Sequence, residues 1–130
     1  QFLIDGPVPP QHRRVHSLST LSERFSTILS SVDVIMTKPG YGTTIEAVQV
    51  QTPIVYVRRY NFADEDSLVT YVHRYGHGVE LSRADFLEAR WEPAIRQALT
   101  LPAPASPPPA CTGAADAAMH LLPFLRPSEG

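Results

Sequence analysis

The 130-residue chain is 43% hydrophobic and 18% charged, which suits one folded domain and excludes a disordered tail. A formal net charge of −2 lacks the basic excess of a general nucleic-acid binder. No apolar run approaches the roughly 20 residues that cross a bilayer, so neither nucleic acid nor a membrane span is an expected partner.

The chain opens on Gln1-Phe2-Leu3-Ile4, without an initiator methionine or a signal-peptide pattern. It reads as part of a longer protein. Phe2 to Ile4 predicts the end of a strand, stopped by Asp5-Gly6-Pro7. Leu21, Phe25, Ile28 and Leu29 recur at helical spacing and predict a helix over Ser19 to Leu29. Val32 to Thr37 is β-branched and apolar, a short strand. The turn Lys38-Pro39-Gly40-Tyr41-Gly42 leads into a helix over Thr43 to Gln51, which Pro53 ends. Ile54 to Val57 is a second apolar strand. Ala63 to Tyr75 predicts a helix with Leu68, Val72 and Tyr75 on one stripe and Gly76 as its stop. Val79 to Leu81 is a brief strand, and Ser82 with Asp85 forms the capping pair of the helix after it. Trp91-Glu92-Pro93 starts a helix that runs to about Leu99.

Proline then dominates. Five of the 13 prolines fall between Pro102 and Pro109, where helix and central strand are both excluded. The expected organisation is a body over residues 1–101, an extended connector over 102–110, and a terminal helix and tail over 111–130. Strands that alternate with helices and are apolar throughout indicate an α/β fold, a Rossmann-like parallel sheet with helices on both faces.

Such sheets bind ligands beyond the carboxyl ends of their strands. One strand delivers Lys38, Gly40 and Gly42 to that edge, ahead of a helix that starts with Thr43 and Thr44. The next delivers Arg58 and Arg59. Cations beside a glycine-rich helix start point to an anion, most simply a diphosphate or phosphate ester. The plain alternative is a turn flanked by solvated cations. Glu46 stands three residues after Thr43, which fits a capping box; as a free carboxylate it could instead accept ribose hydroxyls. Asp64, Glu65 and Asp66 are either ordinary partners of a helix dipole or ligands for sugar hydroxyls. His73 and His77 have metal-ligand spacing but lack a third ligand, so no metal is expected. His12, His16 and His120 have no chemical context. Cys111, the single cysteine, excludes an internal disulfide, has no identifiable base near it, and fits a reducing, cytoplasmic compartment.

The stretch Ser31 to Ala47, with Thr37-Lys38-Pro39-Gly40-Tyr41-Gly42-Thr43-Thr44-Ile45-Glu46 at its centre, resembles the donor-site signature of GT-B glycosyltransferases of family 28. Phe62, Asp64-Glu65, Gly78-Val79-Glu80-Leu81 and Arg90-Trp91-Glu92-Pro93 look like the glycosyltransferase-like region of L-arabinokinases and their bacterial relatives. The resemblance implies the C-terminal, donor-binding half of a GT-B fold. It implies a nucleotide-sugar substrate, UDP-linked, with no separate cofactor. The diphosphate would lie on Lys38, Gly40, Gly42, Thr43, Thr44, Arg58 and Arg59, the ribose on Glu46, and the sugar near Asp64, Glu65 and Asp66. These last positions are often glutamine in the family and are acidic here. The partner it implies is an N-terminal acceptor-binding domain outside this chain, which would supply the catalytic base. Two further readings share the fold: a non-catalytic module associated with a sugar kinase, and a sugar-nucleotide epimerase or hydrolase.

Overall fold

The computed structural model describes residues 1–125. Its centre is a parallel sheet of three strands in the order β3 (Ile35–Thr37), β4 (Ile54–Tyr56), β5 (Gly78–Glu80). Ile35, Met36 and Thr37 pair with Ile54, Val55 and Tyr56, and these pair with Gly78, Val79 and Glu80. Each crossover is a helix: α2 (Tyr41–Gln49) between β3 and β4, and α3 (Glu65–Tyr75) between β4 and β5.

Successive strand residues face opposite ways, and both faces are covered. Ile54 and Tyr56 pack with Leu29, Ala47, Val48 and Val72 from α1 (Phe25–Ser31), α2 and α3. Val55, Val79 and Leu81 pack on the other side with Ala94 and Ala98 of α5 (Glu92–Thr100). Burial on both faces is why the central strand β4 reads as an unbroken apolar run. The short α4 (Arg83–Leu87) opens as expected, with the Ser82 hydroxyl accepting from the Asp85 backbone N–H at 3.0 Å.

A second, separate sheet joins β1 (Phe2–Ile4) to β2 (Val15–Ser17) in parallel. The sequence reading did not expect β2, whose three residues Val15-His16-Ser17 include one apolar side chain. The helix expected over Ser19 to Leu29 is corrected. A 3-10 turn covers Leu18–Thr20, and α1 begins only at Phe25. Ser17 explains the break: its hydroxyl accepts from the Ser19 backbone N–H and its carbonyl from the Thr20 hydroxyl. Local side-chain bonds of this kind compete with helix. The supposed stripe is also largely wet, with Leu21 and Phe25 exposed and Leu29 buried.

The proline run lies outside helix and strand. It is tied to the body where Gln49 Nε2 donates to the Pro109 carbonyl at 2.9 Å. The terminal helix α6 (Gly113–Leu125) follows, with no buried residue. The last five residues of the expected tail, 126–130, lie outside the described part.

Candidate functional site

The three parallel strands end on one edge, and each hands a cation to it. Lys38 follows β3, Arg58 and Arg59 follow β4, and Arg83 follows β5. All four line a cleft of about 600 Å³ together with Met36, Val57, Asn61, Phe62, Phe86 and Leu87. That size is ordinary for a small-molecule site. Its lining holds four cationic side chains and no carboxylate, though Arg58 and Arg59 are paired with acids outside the lining. A hollow of similar size beside β1 and β2 is lined by Asp5, His16, Ser17 and Ser19 and holds no lysine or arginine. It lacks the charge that would make it an anion site.

The Gly-rich turn is arranged differently from the capping-box expectation. Gly40, in extended backbone at φ −146, is the residue before α2, and the helix begins at Tyr41. Thr43 is therefore inside the first turn, and its supposed cap with Glu46 is not formed. Thr44 serves instead. It is buried, and its hydroxyl accepts from the Gly40 backbone N–H at 3.2 Å. Its own N–H donates to the Gly40 carbonyl at 3.0 Å. Thr44 thus ties the turn to the helix, and these two bonds use the backbone N–H groups of Gly40 and Thr44. The first-turn N–H groups of Tyr41, Gly42 and Thr43 have no intrahelical acceptor, and Gly42 has open space where a Cβ would stand. A Cβ on Gly40 would lie 3.9 Å from Lys38 Nζ, so the ammonium sits over the helix start. Glu46 is exposed and makes no side-chain hydrogen bond among the described residues.

The acids after β4 divide their work. Glu65 is 1% exposed, on the inward face of α3 with Leu68 and Val72. Its carboxylate accepts from the backbone N–H groups of Arg59 and Tyr60 at 3.0 and 3.1 Å. It also accepts from Arg58 Nε and Arg59 Nε, each at 3.3 Å. Burial pushes its pKa up, but the bonds from Tyr60, Arg59 and Arg58 together outweigh burial and hold it below the ordinary range. These donors occupy the lone pairs that a sugar hydroxyl would need. Asp66 is exposed and pairs with Arg58, while Asp64 precedes α3 without a side-chain cap bond.

The two arginines are correspondingly engaged. Arg59 donates to the Pro39 carbonyl at 2.6 Å and lies 3.4 Å from the Phe62 ring centre. Arg58 lies 5.0 Å from the Tyr60 ring centre. Both build the cleft wall, and Arg59 binds the β4 loop to the β3 loop. Lys38 and Arg83 make no ion pair or side-chain hydrogen bond among the described residues.

His73 is also accounted for. Its Nε2 lies 2.7 Å from the Tyr56 hydroxyl, whose pKa burial and the nearby Glu80 push to about 12, against a smaller opposing effect of Arg58. No group of three His, Cys, Asp or Glu side chains among the described residues could hold a metal. Cys111 is exposed.

Arg83 is the site residue that the sequence reading missed. The signal was present: it follows the third strand as Lys38 and Arg58 follow the first two. Its relevance required knowing that β5 pairs directly with β4.

The sequence is 38% identical over 74 residues, 57% of the chain, to an L-arabinokinase of Arabidopsis thaliana. Those residues are 7% of that protein's length. No protein-family model matches the chain, and no solved structure matches it. The α/β architecture is Rossmann-like. Among the described residues no helix is long and apolar enough to cross a membrane.

Proposed function

We propose that this chain is the donor-binding half of a GT-B-type glycosyltransferase and that the cleft at the strand ends holds a UDP-sugar. One observation carries the reading: three adjacent parallel strands each deliver a cation to one cleft, and the ammonium of one of them, Lys38, lies close to Gly40 at a helix start whose first N–H groups have no intrahelical acceptor. The diphosphate lies on Lys38, Gly42 and Thr43, with Gly40 giving it room to approach and Arg58 and Arg59 as charged wall. Thr44 supports the turn from behind. Glu46, exposed and unengaged, accepts the ribose hydroxyls. Asp64 and Asp66 remain for the sugar, since Glu65 has no capacity to spare.

In transfer, an acceptor hydroxyl attacks the anomeric carbon as the bond to the diphosphate oxygen breaks. The contribution of this half is to position the donor and stabilise the departing charge. The acceptor and the base belong to an N-terminal domain outside this chain, so residues 1–130 alone bind without turnover. The setting we propose is cytoplasmic, where Cys111 stays reduced.

Calorimetry with UDP and UDP-sugars on the full-length protein tests the reading. We expect binding, and about a tenfold weakening in Glu46→Ala for UDP but not for pyrophosphate. Absence of UDP binding by the intact protein sinks the proposal.

The similarity to an L-arabinokinase favours a second reading, a sugar-nucleotide module without transferase chemistry that is linked to a sugar kinase. Transfer or donor hydrolysis by the intact protein, lost in Glu46→Ala, counts against that reading.

A further inference from the structure

The cleft has four cations, and two of them are already neutralised. Arg58 and Arg59 share the buried Glu65, and Arg58 also pairs with Asp66. Lys38 and Arg83 are exposed and unpaired among the described residues. They leave the outer strands, β3 and β5, with β4 between them. Lys38 directly follows β3, and Arg83 opens α4 just past the end of β5. Both side chains line the same cleft. Two like charges with no counter-charge of their own repel each other, and an anion between them relieves the repulsion.

We propose that Lys38 and Arg83 form a two-armed clamp for a multiply charged phosphate anion, a diphosphate or a phosphate ester, and that Arg58 and Arg59 do not bind it. This deepens the donor-site reading, on which its identification with a nucleotide diphosphate rests. Arg83 supplies the planar fork suited to phosphate oxygens, and Lys38 the mobile point charge over the start of α2. An uncharged sugar would gain nothing from either arm.

The experiment is calorimetry of the full chain with inorganic pyrophosphate, UDP and uridine, on wild type, Arg83→Gln and Lys38→Gln. Both positions are exposed, so each variant should melt at the wild-type temperature. We expect each to weaken pyrophosphate and UDP about tenfold. Pyrophosphate affinity unchanged in Arg83→Gln overturns the clamp. If UDP still binds in that case, the donor reading survives without it. Pyrophosphate binding that depends on Arg83, with UDP binding no tighter, supports the clamp and removes the nucleotide. Failure of wild type to bind either anion overturns both.

Discussion

Glu65 shows how one side chain can decide the character of a site. It brings a carboxylate to an almost fully buried position and surrounds it with donors from Arg58, Arg59 and Tyr60. Tyr60 has a left-handed backbone, φ 62, which a non-glycine residue holds only under constraint. The bond from its N–H supplies that constraint. Removing one member of a buried charge network typically costs 3–5 kcal/mol. Glu65→Ala should cost about 3 kcal/mol, at the low end, because Arg58 and Arg59 keep 21% and 22% of their side-chain surface in water. Denaturant titration measures it, and a loss below about 1 kcal/mol would refute the role of Glu65 in holding the Arg58–Tyr60 loop. The pH dependence has a definite sign. The folded-state pKa lies below the ordinary glutamate value of 4.5, so the unfolded chain takes up the proton first as pH falls. The contribution is complete above 4.5 and is lost as pH drops through the folded value. Stability curves of wild type and Glu65→Gln should converge on acidification; parallel curves would refute this.

Among the elements, α3 was the most legible, and the place where reading it went wrong is informative. Leu68 and Val72 marked its buried face, and both are buried. Glu65 shares that face at helical spacing, three and seven residues ahead of them, yet the three consecutive acids read either as partners of the helix dipole or as ligands for sugar hydroxyls, and not as a buried carboxylate. Periodicity identifies the face, but it cannot supply the partners that make a buried carboxylate tolerable. The α2 start illustrates a second limit. Thr43 and Glu46 matched a capping box in spacing, but the extended backbone of Gly40 starts the helix earlier, and Thr44 closes the turn. The end of α3 has a packing reason. Gly76 is extended at φ −137, so conformational freedom is not what requires glycine there. A Cβ would stand 2.8 Å from Val48 Cγ2, against the core of α2. Gly76→Ala should therefore destabilise by about 1–3 kcal/mol. A thermal melt unchanged from wild type would show that α2 and α3 can separate freely.

At the scale of the whole molecule, the core belongs to the three-stranded sheet and the helices on its two faces. The terminal helix α6 buries none of its residues and leaves Met119, Leu121, Leu122, Phe124 and Leu125 exposed. The connector bond from Gln49 to Pro109 precedes it. Deleting residues 111–130 should thus leave the melting temperature within about 2 °C of wild type, since none of the described residues 111–125 is buried; a larger fall would mean that α6 is needed for the stability of the body. The amino-acid sequence by itself determined the alternation of strands and helices, the Gly-rich turn, and the arrival of Lys38, Arg58 and Arg59 at strand ends. Those features follow from local periodicity and local turn chemistry. Only the tertiary structure decided which of the cleft's cations are paired with acids. Pairing β5 beside β4 brings Arg83 to the cleft, and turning α3 inward spends Arg58 and Arg59 on Glu65. The physical reason is that charge compensation acts through space, between groups whose proximity arises only when separate elements pack.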